Sequence, residues 1–229
     1  MASKEGLTLR QAAVIAGFAY LLNPVPYAEF SIYSRLVVPG HVDHSVANIA
    51  AHPGLFVAAI FCYLINFIGD VVIAWALYFL LAPVNRALSL LAALFRLVYT
   101  AIALVGTFDL VTVYRMVTTP EFAALFGSRQ FYAQVDLLLH QFRYDWNLSL
   151  ALFGVHLVIV GWLVFRSSYI PKILGIIVAI VGLSWVINGV QPYLWPKADL
   201  GFIFVLAFGE LIFALWLLIM GWRIKEPET

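Results

Sequence analysis

The sequence predicts an all-α polytopic membrane protein: a six-transmembrane-helix bundle, read as a single transmembrane domain over 1–229, with N and C termini cytoplasmic. Three observations carry that expectation. The residues are 64% hydrophobic and only 11% charged, with a mean hydropathy of +0.97, whereas a soluble domain carries about 25% charged residues. Six stretches have the length and apolar character of a spanning helix, for which about 20 residues suffice: 11–31, 54–82, 87–114, 146–165, 173–192 and 201–222. Lysine and arginine also favour one side of the map those stretches draw.

Taken in order, the first span follows Lys4 and Arg10 as a signal peptide would, but no small-residue cleavage site follows it, so it is kept as a span. Asn23-Pro24-Val25-Pro26 interrupts it, because proline lacks a backbone donor and clashes with the preceding turn. The carbonyls released near Tyr20 and Leu22 need other partners, and broken helices at membrane depth commonly line a site. The outer link 34–53 holds an interfacial helix over 46–51. The second and third spans join through Ala82-Pro83-Val84-Asn85-Arg86, too short for anything but an antiparallel hairpin. The outer link 118–145 contains EFAALFGSRQFYAQVDLLLHQFRY (121–144), an amphipathic segment feeding the fourth span, with tyrosines and Trp146 suited to the aromatic belt. RSSYIPK (166–172) closes a second hairpin, between spans four and five, and Pro192 and Pro196 mark the end of the fifth.

Lys4, Arg10, Arg86, Arg166, Lys172, Arg223 and Lys225 fall on one side, against Arg35, Arg115, Arg129, Arg143 and Lys197 on the other. That bias places the termini and short links in the cytoplasm. A net charge of +1 with scattered basic residues excludes nucleic acid as a partner. A single cysteine, Cys62, excludes an internal disulfide and any CxxC redox or zinc centre. No motif implies a cofactor, so membrane lipids and a hydrophobic small molecule are the expected partners. No internal repeat is visible, which argues against a monomeric secondary transporter, although a homo-oligomer could still build one.

Counting the helical rise of about 1.5 Å per residue from each cytoplasmic end gives the depth of every buried polar residue. Asp70 lies about 21 Å up, Arg96 about 18 Å, Asn23 and Glu210 about 20 Å, Asn188 about 24 Å and His156 about 15 Å. With a hydrocarbon core about 30 Å thick, these six fall in one slab near the midplane, one from each helix. A lone charge in lipid costs about 3 kcal/mol or more, so Asp70 and Arg96, at matched height in one hairpin, are expected to pair. That pair can be purely structural. Glu210 then has no cation at its depth unless His156 is protonated; a carboxyl so isolated keeps its proton and can serve as a general acid or a coupling residue. Its structural alternative is satisfaction by backbone or by Asn188.

Asp145, Ser149 and His156 share one side of the fourth span, and Ser184, Asn188 and Gln191 share one face of the fifth. Both stripes rise from the slab toward the outer surface, as an outward polar cavity would require, or as interhelical hydrogen bonding would. The outer-loop histidines His41, His44, His52 and His140 lack the stricter spacing of zinc ligands, and no metal site is assigned to them.

The stretches LYFLLAPVNRALSLLAALFRLVYTAI (77–102), YIPKILG (169–175) and ELIFALWLLIMGW (210–222) resemble a bacterial membrane-protein family catalogued as domain of unknown function 4386. The resemblance covers most of the chain. It implies a polytopic protein of the bacterial inner membrane, and it carries over no catalytic residue, because the family has no established activity. From the residues themselves, the first functional expectation is an intramembrane enzyme using acid–base chemistry on a lipid or isoprenoid-like substrate. Glu210 would be the acid, Asp70 and Arg96 would position it, His156 would be the base, and aromatic faces would steady a cationic intermediate. Asn23, Asn188, Ser149, Ser184, Gln191 and Asp145 would contact the substrate. The alternative is a small-solute or proton-coupled transporter with Glu210 and His156 as relay. The third is an accessory membrane protein whose polar slab only holds the bundle together.

Overall fold

A short helix opens the described part of the chain because Thr8 and Gln11 satisfy each other's backbone. Thr8 Oγ1 accepts from the Gln11 N–H at 3.2 Å, and Gln11 Oε1 accepts from the Thr8 N–H at 3.1 Å, the reciprocal cap that fixes a helix start. The computed structural model describes residues 6–198, 201, 203–206 and 208–225. Helix α1 (Leu9–Leu21) follows that cap and buries a face of small residues, Ala12, Ala13, Ala16, Gly17 and Ala19.

Helix α1 breaks at the Asn23-Pro24-Val25-Pro26 stretch and the helical path resumes beyond it. Asn23 Oδ1 accepts the Val25 N–H at 2.9 Å, and Pro24 supplies no donor, so α1 stops at Leu21 and the chain continues through Val25–Tyr27, a wide π-type turn at Ala28–Tyr33 and Ser34–Leu36. Helix α2 (Val42–Ala51) starts four residues before the expected interfacial segment. Then come α3 (Pro53–Leu81), α4 (Arg86–Thr118), α5 (Pro120–Arg166), α6 (Lys172–Leu194) and α7 (Phe208–Met220). The link expected at 118–145 is itself helical: α5 begins at Pro120 and runs to Arg166, kinked at Gly127, whose φ of 68° and ψ of 155° a side chain would resist. A four-residue α-helical segment at Ile203–Leu206 precedes α7, and a 3₁₀ turn at Gly221–Arg223 ends it.

Four of these helices, α3 to α6, are long and apolar enough to cross a membrane. Helix α1 has 13 residues, or about 20 Å, short of a full crossing, and α7 is described over 13 residues. Phe202 and Ala207, within the expected sixth span, lie outside the described residues.

The chain packs as two compact units. One comprises Met1–Leu22, Gly69–Thr100 and Asn147–Thr229; the other comprises Asn23–Ile68 and Ala101–Trp146. In the first, α5 and α6 run antiparallel in backbone contact along glycines. A Cβ at Gly161 would stand 2.6 Å from the Ala179 nitrogen and the Gly175 oxygen, and one at Gly154 would stand 2.5 Å from the Gly182 oxygen. Gly189 meets the Asn147 oxygen in the same way at 2.7 Å. Small residues permit this approach where lipid offers no hydrophobic drive to associate. Helix α1 meets α7 by the same device, with Gly17 against the Leu218 nitrogen and Gly221 against Ala13. The second unit has a core of Ile32, Leu36, Ile49, Phe56, Tyr63 and Phe142, and Ser45 Oγ ties α2 to the preceding chain by accepting the Val38 N–H at 2.9 Å.

Candidate functional site

In the first unit, the buried centre is a guanidinium with four of its five N–H groups bonded. Arg96 is 3% exposed, Asp70 2% and His156 0%. Arg96 Nε and Nη2 both donate to Asp70 Oδ1, at 3.0 and 2.5 Å, and Nη1 donates to Tyr20 Oη at 2.9 Å. The same Nη1 lies 3.2 Å from His156 Nε2, and His156 Nδ1 lies 2.8 Å from the Ala92 carbonyl oxygen. A guanidinium only donates and a carbonyl only accepts, so Nδ1 carries the imidazole proton and Nε2 gives its lone pair to Arg96. Tyr20 and Phe153 lie against the guanidinium, with ring centroids 4.9 and 5.1 Å from Cζ. The tetrad therefore draws α1, α3, α4 and α5 to one point. The short Ala82–Asn85 link sets the matched height of Asp70 and Arg96, as their spacing from it predicts.

Glu210 differs. It is partly buried on α7, its Oε1 accepts the Trp185 indole N–H at 2.8 Å, and it makes no ion pair among the described residues. Arg96, Asp70 and Tyr20 are within electrostatic reach of it without bonding it. Its partner is thus neither His156 nor Asn188, which makes no hydrogen bond among the described residues. Trp185 was not legible as a partner, since an indole leaves no spacing signal; its place one residue after Ser184 on the polar face of α6 was the only hint. Tyr20 entered the sequence reading for its backbone alone.

The remaining candidates scatter. Asn23 is exposed and bonds the turn after it. Ser184 is buried and donates to its own helix at Val181 O, 2.7 Å away. Gln191 is half-buried and caps the end of α6 through Trp195 O and Ala198 O, at 2.9 and 3.1 Å. Those bonds account for Ser184 and Gln191 without an outward cavity. Ser149 is fully buried in the first unit. Asp145 belongs to the second unit, where a Cβ at Gly106 would stand 3.0 Å from its own.

That second unit holds a network absent from the sequence reading. Arg143 Nη1 pairs with Glu29 Oε2 at 2.8 Å, Tyr63 Oη donates to Glu29 Oε1 at 2.5 Å, and Tyr33 lies under the guanidinium at 4.3 Å. Nearby, Asp109 Oδ2 is buried without a hydrogen-bond partner, within electrostatic reach of Asp145. At the start of α2, His41 and His44 stack at 5.5 Å, and His44 Nε2 stands 3.6 Å from Asp43 Oδ2. Among the described residues no three His, Cys, Asp or Glu side chains gather as a metal site would need. Two open cavities, of about 470 and 340 Å³, are lined by neither the tetrad nor Glu210.

Long apolar helices around a buried ion pair define a multi-pass membrane protein. The chain belongs to the family described as "Domain of unknown function (DUF4386)", whose model matches residues 15–221. It is 32% identical over 157 residues to a protein of Archaeoglobus fulgidus named "Uncharacterized protein", covering 69% of this chain and 80% of that one. No solved structure matches it.

Proposed function

We propose that this protein is a six-span membrane protein in which Glu210 is the working group and the Asp70–Arg96–His156–Tyr20 tetrad is its scaffold. Glu210 exchanges a proton with a hydrophobic, lipid-like molecule that reaches it from the bilayer, as an intramembrane enzyme of acid–base type would require. The observation that carries this reading is the contrast in partners. Four of the five N–H groups of Arg96 are taken, whereas Glu210 has one indole donor, a second oxygen with no partner among the described residues, and partial exposure. A carboxyl so placed is expensive in lipid and is a functional candidate by default. His156 is not assigned as the base, because both its nitrogens are bonded; Glu210, once deprotonated, is the base that recovers the proton. Helix α1 with the turns after it, and α7 with the segment before it, supply the first and last spans. The basic residues at the short links and C-terminus support cytoplasmic termini, in the inner membrane of a bacterium.

The test reconstitutes the full chain and its Glu210→Gln variant in liposomes made from membrane lipid extract. Proton movement is followed by an entrapped pH dye and lipid conversion by mass spectrometry. The expected result is a folded variant that loses lipid conversion. Loss of proton movement without lipid conversion would move the protein to the transporter class. Identical behaviour of two folded proteins would leave only the accessory, structural role, which the four bonds of Arg96 within the tetrad already favour for it.

A further inference from the structure

The larger of the two cavities lies in the first unit, away from Glu210, and its walls are built from three separate pieces of chain. Ser168 and Tyr169 come from the α5–α6 link, Trp216 and Met220 from α7, and Arg223, Ile224 and Lys225 from the turn that follows α7. The walls are held in place. Arg10 Nε donates to the Ile224 carbonyl at 2.8 Å, Tyr169 Oη donates to the Leu80 carbonyl at 2.5 Å, and Gly221 lies so close to Ala13 that a Cβ would stand 2.7 Å from Ala13 Cβ.

The groove is polar at one end and apolar at the other. Arg223 and Lys225 are exposed cations that form no ion pair or hydrogen bond among the described residues; Trp222 covers one face of the Arg223 guanidinium, 4.8 Å away, and leaves its N–H edges free. The Ser168 hydroxyl and the Trp216 indole N–H likewise have no partner there. Away from those donors, Met220 leads onto the exposed apolar side chains of α7, Ile212, Leu215 and Ile219. Unpaired donors and two positive charges at the mouth of an apolar track match a molecule with an anionic head and a hydrocarbon tail. A volume of about 470 Å³ suits the head, and the tail has the lipid-facing side of α7 to lie against.

We propose that this groove binds the phosphate headgroup of an anionic phospholipid of the surrounding bilayer. Arg223 and Lys225 neutralise the phosphate, Ser168 and the Trp216 N–H donate to its oxygens, and an acyl chain runs past Met220 along α7. Basic pockets at the ends of membrane helices select anionic headgroups on this principle. The assignment rests on the chain lying in a membrane and is independent of any role for Glu210.

The test uses the purified full chain in a neutral detergent, titrated with phosphatidylglycerol, phosphatidylcholine or inorganic phosphate, with bound lipid counted by native mass spectrometry. The wild type should retain one phosphatidylglycerol in preference to phosphatidylcholine. Each basic residue contributes about fivefold to such binding, so Arg223→Gln/Lys225→Gln should weaken it about 25-fold. The charge-keeping Arg223→Lys/Lys225→Arg variant should retain it, and so should Lys197→Gln, which removes a charge elsewhere. Equal retention of the two lipids, or unchanged binding in a folded Arg223→Gln/Lys225→Gln variant, overturns the proposal. If that variant does not fold, the charge-keeping variant and Lys197→Gln decide: loss of preference in Lys197→Gln overturns it too. Inorganic phosphate that displaces the lipid at equal concentration overturns the assignment to a lipid. Glu226 and Glu228 follow in the sequence; selective binding that appears only in Glu226→Gln/Glu228→Gln would mean that the chain's own carboxylates fill the site, and would overturn it as well.

Discussion

Removing the Arg96 guanidinium should harm the protein more than removing the whole ion pair does. Arg96→Leu strips Asp70 Oδ1 of donors at 3.0 and 2.5 Å and leaves Tyr20 Oη and His156 Nε2 without their shared donor. Asp70 is 2% exposed, so its charge stays stranded, a loss of about 3–5 kcal/mol for a broken buried pair. Asp70→Asn strands the cation instead, at about 3 kcal/mol by the same reasoning. The double variant strands no charge and leaves three neutral acceptors without the Arg96 donors, the new amide oxygen, Tyr20 Oη and His156 Nε2, at about 1 kcal/mol each. The singles sum to about 7 kcal/mol and the double to about 3, a coupling near 4 kcal/mol. Ordinary hydrogen bonds between membrane helices average only about 0.6 kcal/mol, so the size of the coupling separates an ion pair from a polar contact. The assay is reversible unfolding in mixed micelles followed by circular dichroism for all four proteins. Additivity within about 0.5 kcal/mol would refute the reasoning.

Three further outcomes follow from single contacts. Nitrogen-15 NMR of labelled histidine should find the His156 proton on Nδ1; a resonance from the Nε2–H tautomer would overturn the assignment. Gly161→Leu should destabilise by at least about 3 kcal/mol, because backbone atoms stand 2.6 Å from its Cβ position. Gly54→Ala, with open space around it, should be neutral or raise Tm through helix propensity; equal losses at both would show that the α5–α6 contact is looser than described. Asp109→Asn should stabilise by about 1 kcal/mol, since the orphaned Oδ2 then becomes an amide able to donate toward Asp145. A fall in Tm would show that the Asp109 carboxylate is satisfied.

The Asp70–Arg96 pair was legible because both residues lie on long helices joined by a four-residue link, where rise per residue converts directly into height. For Asn23 a height says nothing of contacts: Pro24 breaks the helix there, and the exposed side chain bonds the turn that follows. Glu29 and Arg143 were illegible as partners for a related reason: Glu29 sits in a π-type turn, and Arg143 lies in a stretch read as a link until α5 proved continuous through it. Ser184 and Gln191 share a helical face as their spacing requires, yet spacing says nothing about whether a hydroxyl bonds outward or back to its own helix. The glycines of α5 and α6 stand seven residues apart in plain view, but they carry no charge to draw attention.

That spacing leaves the α5–α6 hairpin with a second near-equivalent alignment. Gly154 opposes Gly182 and Gly161 opposes Gly175. Sliding one helix by seven residues, about 10.5 Å, would set Gly154 against Gly189 and Gly161 against Gly182, and the backbones could close again without a side chain between them. The seam therefore selects a family of alignments rather than one. Ser167–Pro171 makes the choice, because it is too short to reach the alternative unless the first turns of α6 unwind. In this hairpin the connecting loop sets which glycines meet, and the glycines set how closely.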